Sequence, residues 1–434
     1  ENMLALSKDN SKEINENKIV DQIRALALDM IQEAGSGHPG IVLGAAPILY
    51  TLYAHHLHFD AKHPDYFNRD RFVMSSGHGS ALLYATLSLA GYDIELEDLK
   101  QFRKLGSITP GHPEYKKTQG VEMTTGPLGQ GFAAAVGMAI AEKHSAALLN
   151  TKKSNLIDYN VYCLCGEGDL MEGITYEAAS LAGVNVLDNL IVLYDCNHVS
   201  LDGPTDMTFI DNIEQRFTAM NWEVITATDE VSSIDKALEK AKSNSKPTLI
   251  QVKTTIGKYS SLAGTNKIHG GILQEDDLEN IKQQLNVRNI PFTISNEVLT
   301  DFQSMIEERN KGKFEAFLEE IQTLDENEKN LLQQLQNKDK TIELTTIDYE
   351  KPQEDAEYLK EASNKMLNSY AAISPLIIGG SADVATSTMA YLKNTPTFSS
   401  KDYSGRNIAF GVREAAMAAI ANGLALSGYR PFIS

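Results

Sequence analysis

The sequence predicts an α/β fold: parallel sheets with helices on both faces, built as two successive α/β domains. Three observations predict it. Short, continuously apolar runs such as Val161-Tyr162-Cys163-Leu164-Cys165 alternate with longer helix-patterned stretches, as strands buried on both faces do. Most of these runs lead into loops rich in glycine or polar residues. The alternation stops in a charged stretch and then resumes at Leu376-Ile377-Ile378.

The elements follow in chain order. Over residues 17–34, Ile19, Ile23, Leu26, Ala27 and Met30 share one face of a helix. The loop Gly35-Ser36-Gly37-His38-Pro39-Gly40 ends it, and a second helix is expected over 43–57. Arg71-Phe72-Val73-Met74 reads as a strand running into Ser76-Gly77-His78-Gly79-Ser80, with a helix over 81–90. Thr124-Thr125-Gly126-Pro127-Leu128-Gly129-Gln130-Gly131 leads into an alanine-rich helix ending at Leu149. The strand 161–165 enters Gly166-Glu167-Gly168-Asp169 and a helix over 172–182. Strands are expected at 190–194, 222–227 and 248–253, the first ending at Asp195-Cys196-Asn197. Residues 297–337 are charged and helical, and the polar, Pro352-containing stretch 339–355 reads as a linker. These features place a first domain at 1–320, a linker at 321–355 and a second domain at 356–434. In the second, the run 376–378 enters Gly379-Gly380-Ser381-Ala382-Asp383, and a helix is expected over 415–426. Pro431-Phe432-Ile433 opens a further strand just before Ser434, so the second domain is expected to be incomplete.

Composition narrows the function. The chain has 434 residues, 42% apolar and 22% charged, as ordinary globular proteins do. A formal net charge of −19 excludes nucleic acid and anionic membrane as partners, yet a few donors in one cleft can still hold a small anion. Residues 1–18 are polar and carry no secretory apolar core, and no apolar run is long enough to span a bilayer. The three cysteines, Cys163, Cys165 and Cys196, sit near apolar runs and read as reduced thiols. A cytoplasmic location is expected.

Four histidines, His38, His78, His112 and His269, sit beside glycine in loops. Any one alone is explained by a helix cap or a carbonyl contact. Together, in loops where glycine admits close backbone approach, they point to hydrogen bonding of hydroxyls and phosphate and to proton transfer. No pair has the spacing of a helical zinc site. His55, His56, His58 and His63 read as structural or surface residues. Glu167 and Asn197, each at the end of a strand, offer hard oxygen ligands suited to Mg²⁺, and Gly168 lets the backbone approach a diphosphate.

Gly166-Glu167-Gly168 through Asp195-Cys196-Asn197 resembles the thiamine-diphosphate signature, with Glu167 where Asp is usual. The segments 36–40, 76–80, Thr109-Pro110-Gly111-His112-Pro113-Glu114, 124–131, Ile268-His269-Gly270, 379–383 and Gly411-Val412-Arg413-Glu414 resemble transketolases, in family order. The resemblance implies the thiamine-diphosphate-binding fold, with a diphosphate-binding domain, the first part of a pyrimidine-binding domain, and a C-terminal domain that this sequence does not contain. It implies thiamine diphosphate and Mg²⁺ as cofactors, with Ca²⁺ or Mn²⁺ able to substitute. It implies a homodimer with its active sites between subunits. The implied reaction moves a two-carbon glycolyl unit, by way of a thiamine-diphosphate ylide, from a ketose phosphate of the xylulose 5-phosphate type to ribose 5-phosphate or erythrose 4-phosphate, in the pentose phosphate pathway.

By position, Glu167, Asn197 and the Val199 carbonyl would hold the metal. His78, Gly126, Pro127, Leu128, Gly168 and Asn197 would line the cofactor. Glu414 would bond its aminopyrimidine ring, with Glu172 joined to Glu414 across the dimer. His38, His112 and His269 would surround the donor sugar and act in catalysis with Glu414. Asp383 would select acceptor stereochemistry, and Ser387 and Lys360, the latter where the family has Arg, would take the substrate phosphate. Dihydroxyacetone synthase shares many of these motifs. The same motifs leave room for deoxyxylulose-phosphate synthase, a pyruvate-dehydrogenase-type enzyme or an inactive fragment, and 434 residues alone are expected to show no turnover.

Overall fold

The structure is a computed structural model that describes residues 2–153, 155–338, 341 and 358–434. The remainder of the expected linker lies outside the described residues. A first sheet comprises β1 (Arg71–Met74), β2 (Val161–Cys165), β3 (Leu190–Cys196), β4 (Glu223–Thr228) and β5 (Thr248–Lys253) in the order β1-β2-β3-β5-β4. All its neighbours are parallel. A second parallel sheet has the order β7-β6-β8, from β6 (Ile377–Ser381), β7 (Asn407–Ala409) and β8 (Arg430–Ile433).

β1, β2 and β3 are buried along their whole length, which is why their sequences are apolar runs without alternation. Helices cover both faces of the first sheet and divide the core in two. One part includes Ile23, Leu26, Leu43, Leu83 and Phe302; the other includes Phe132, Val136, Leu181 and Trp222 and continues into Ile378, Ile408 and Leu424 of the second domain. The Gln130–Leu149 helix is long and apolar enough to cross a bilayer, yet it lies inside this second core.

One element begins well before the sequence expectation. The first helix spans Asn2–Ala34 rather than starting at residue 17. The stretch expected to be helical over 297–337 ends in the helix Glu326–Gln336, which begins with an Asp325/Glu328 capping box and buries Leu331, Leu332 and Leu335. Those leucines recur at helical spacing, so the segment has an apolar stripe to bury.

The two domains meet through the Gln130–Leu149 and Glu414–Leu426 helices. Gly137 and Gly423 let the backbones touch: a Cβ on Gly423 would lie 2.0 Å from the Ala134 carbonyl oxygen, and one on Gly137 would lie 2.1 Å from that of Ile420. Helix propensity alone favours Gly→Ala by about 1 kcal/mol. Here a new methyl would strike backbone, so Gly423→Ala is expected to destabilise by about 1–3 kcal/mol in denaturant unfolding.

His144 joins the same interface. Its Nδ1 lies 2.8 Å from the Tyr403 carbonyl oxygen and its ring meets Tyr429 edge-on. A carbonyl only accepts, so Nδ1 carries the proton of a neutral ring, while the buried Nε2 has no partner. Burial pushes the His144 pKa down to about 4. The unfolded chain therefore binds the extra proton more readily. The stability from keeping His144 neutral is complete above its unfolded value, near 6.5, and is lost as pH falls from there towards 4. His144→Phe should melt lower than wild type at pH 7.5, and the gap should narrow by pH 5.

Candidate functional site

The site forms where the first sheet's strands end. His38 precedes the Pro39–Thr51 helix. His78 lies in the Gly77–Gly79 turn between β1 and the Ser80–Ala90 helix. His269 follows the Asn266–Ile268 turn beyond β5. His112 lies in the loop that carries Gly111, against which the Arg103 side chain packs. Their rings converge: His38 lies 5.1 Å from His78, 5.6 Å from His269 and 6.4 Å from His112, and His78 lies 5.1 Å from His269.

Burial keeps the four imidazoles neutral, and the neighbouring rings add to it at His38 and His78. Burial first, then the neighbouring rings, push His78 down to about 3 and His38 to about 4. Burial also lowers His112 and His269. Neutral imidazoles each keep one donor and one acceptor, the equipment needed to bind hydroxyls and relay a proton.

The loops around them are held by one carboxylate. Asp169, fully buried, accepts from the Ser75 and Ser76 hydroxyls, both at 2.7 Å, from Gly129 N–H at 2.8 Å and from Gly166 N–H at 3.0 Å. It ties the end of β1, the turn after β2 and the start of the Gln130–Leu149 helix into one cradle. Within it, a Cβ on Gly77 would lie 2.8 Å from Gly126 N, one on Gly168 2.7 Å from Leu128, and one on Gly126 3.5 Å from His112. Gly126, Leu128, Gly168 and His112 are thus brought together, with Pro127 between the first two. Beside the histidines, Thr125 Oγ1 and Arg103 Nε are buried without a protein partner, polar atoms that suit a bound polar cofactor.

Glu167 opens a short helix after β2. Its Oε1 accepts Asn197 N–H at 2.8 Å and His198 N–H at 2.5 Å. Burial and the neighbouring Asp195 push its carboxyl up to about 8, and burial pushes Asp195 up to about 6. Two buried carboxylates in repulsion fit a bound cation. Asn197 Oδ1 accepts Val199 N–H at 3.0 Å and keeps a second lone pair. Glu167, Asn197 and the Val199 carbonyl are therefore chemically suited to Mg²⁺.

The remaining expected residues stand apart. Lys360, Asp383, Ser387 and Glu414 are exposed on the second domain, and no hydrogen bond or ion pair joins them to the four histidines among the described residues. Asp383 adopts φ 64°, a conformation costly for a residue with a Cβ, and its side chain caps no helix. Glu172 is exposed. Within one chain the carboxylate that reaches the start of the Glu414–Leu426 helix is instead Glu177, which accepts Ala416 N–H at 3.2 Å.

Comparison with known proteins bears on the family and the fold. Residues 15–341 match the transketolase thiamine diphosphate binding domain, and residues 358–434 match the transketolase pyrimidine binding domain. The chain belongs to the transketolase family. It is 46% identical to the transketolase of Bacillus subtilis over 95% of its own length and 63% of that protein, so it spans less than two thirds of this relative. Among solved structures, transketolase from Leishmania mexicana superposes with a TM-score of 0.92 at 40% identity, covering 96% of this chain and 64% of that one. Transketolase from Pichia stipitis in complex with sedoheptulose 7-phosphate gives 0.92 at 37% identity, with the same coverage.

Two site residues of this transketolase-family chain escape sequence reasoning. Asp169 reads in sequence only as part of a glycine motif. Arg103 carries no motif at all, yet it donates to Ser36 Oγ at 2.9 Å and reaches His38 Nδ1 at 3.4 Å. A guanidinium only donates, so His38 Nδ1 accepts and the ring proton sits on Nε2. The signal available is its φ of 64° with the glycine-bearing turn at Gly106 just beyond, but φ is not legible in sequence. The Arg103 charge contributes to the low His38 pKa. Arg103→Met should therefore raise it from about 4 while burial keeps it below 6.5, read by ¹⁵N-histidine NMR titration. An unchanged titration would remove Arg103 from the site.

Proposed function

We propose that this chain performs the cofactor-binding and donor-binding work of a transketolase, the reversible transfer of a two-carbon glycolyl unit from a ketose phosphate to an aldose phosphate. The observation that supports it is the convergence of His38, His78, His112 and His269 beside the Gly126-Pro127-Leu128 loop and Gly168. Thiamine diphosphate, when bound, supplies the carbon nucleophile that carries the two-carbon unit. Gly168, the 126–128 loop and His78 would hold the cofactor, with Mg²⁺ on Glu167, Asn197 and the Val199 carbonyl. The Nε2 proton of His38 would donate to the donor sugar's oxygen. Exposed His112 and half-buried His269 would bond its hydroxyls and move protons among them.

Lys360, Asp383, Ser387 and Glu414 would act on a second copy of this chain, with Glu172 joined to the partner copy's Glu414 only through that assembly. Their exposure away from the histidines supports a homodimer with its sites between subunits. Domain limits near 320 and 356, xylulose 5-phosphate and ribose 5-phosphate or erythrose 4-phosphate as substrates, and a cytoplasmic setting in the pentose phosphate pathway complete the proposal.

Calorimetric titration of thiamine diphosphate into the chain is expected to show binding with Mg²⁺ and loss of binding with EDTA. Asn197→Ala should weaken it by about tenfold or more. Equal binding with and without metal would overturn the metal assignment, and no binding with Mg²⁺ would overturn the cofactor assignment.

A further inference from the structure

Glu167 also faces a second cavity, of about 610 Å³, whose wall includes Cys196 and His198. Three different ligand atoms meet there. The Cys196 sulfur and His198 Nε2 are 3.6 Å apart, and a Glu167 carboxylate oxygen, the sulfur and an imidazole nitrogen all lie within 4.8 Å of one another. We infer that Glu167, Cys196 and His198 form a binding site for a borderline-soft divalent cation of the Zn²⁺ class.

The spacing fits the ion. A tetrahedral Zn²⁺ lies at about 2.3 Å from sulfur and about 2.05 Å from nitrogen, which places those two atoms about 3.6 Å from each other. The Cys196–His198 pair already has that separation. The carboxylate needs only a modest side-chain adjustment to close the third corner. The backbone makes the pair possible: Cys196 is the last residue of β3, and His198 adopts φ 59°, which turns its imidazole back over the residue two positions earlier. A residue with a Cβ enters that conformation at a cost of about 1 kcal/mol or more, and such positions persist where the surroundings use them.

The chemistry selects the class. One thiolate, one imidazole and one carboxylate suit Zn²⁺ and its neighbours, whereas Mg²⁺ prefers oxygen alone. Three protein ligands leave a fourth position open to the cavity, where water or a small anion would complete the shell. Binding releases the thiol proton to solvent. Asp206 and Glu214 on the cavity wall add negative charge, and Lys253 opposes it in part. The site shares Glu167 with the proposed Mg²⁺ set, so the two ions would compete, but the inference does not rest on the transfer reaction.

Co²⁺ is the probe, added to the reduced, metal-free chain without thiamine diphosphate. Wild type should give a thiolate-to-cobalt charge-transfer band that saturates at one equivalent and is discharged by Zn²⁺. Cys196→Ser should abolish the band. His198→Ala, at an exposed position where folding is little threatened, should lower Co²⁺ affinity by about tenfold or more. Cys163 and Cys165 are fully buried and cannot supply a thiolate in the folded chain. Absence of the band in folded wild type would overturn the proposal. So would a band that survives Cys196→Ser, or unchanged affinity in His198→Ala.

Discussion

The site depends on one buried charge. Asp169 sits without solvent contact, and its carboxylate is compensated by four donors from three places: two serine hydroxyls after β1, a glycine amide ahead of the Gln130–Leu149 helix and a glycine amide after β2. A buried carboxylate lacking such donors would be costly by several kcal/mol. The loops are therefore held in the one arrangement that satisfies it. That arrangement aims His78 at His38 and His269 and brings the 126–128 loop against Gly168. The glycines serve the same end from the other side, since a Cβ on Gly131 would lie 2.7 Å from Ser75 and one on Gly77 2.8 Å from Gly126 N.

The electrostatics of the chain and of its cleft run in opposite directions. The whole molecule carries a formal charge of −19, yet the cleft is lined by neutral imidazoles and one guanidinium. A small anion entering the cleft thus meets neutral donors and a local positive group rather than the field of the exterior. The carboxylates that do enter the site, Glu167 and Asp195, are buried on its floor, where a cation can neutralise them.

The parallel strands are legible in the sequence because burial on both faces writes them as unbroken apolar runs. The glycine-flanked histidines are legible because the loops after such strands carry function. Arg103 is not, because its meaning lies in a contact with a residue 65 positions away. Asp169 is visible but indistinguishable from a turn residue, since its partners are 94, 93 and 40 positions distant. The helix after Asp325 is legible within the charged 297–337 stretch, because Leu331, Leu332 and Leu335 recur at helical spacing. Cys196 reads as a buried thiol. Its neighbour His198 carries no signal of its own, because the left-handed backbone that joins the two cannot be seen in sequence.

The contact between Gly137 and Gly423 bears on how the molecule moves. Shear between packed helices proceeds by side chains repacking from one set of rotamers to another. Where two helices meet backbone to backbone, there are no side chains between them to repack. The two domains should then behave as one rigid body, with neither hinge nor slide along that seam. Traffic into the cleft falls to the loops at the strand ends, whose excursions occur in nanoseconds to microseconds rather than on the slower scale of domain closure.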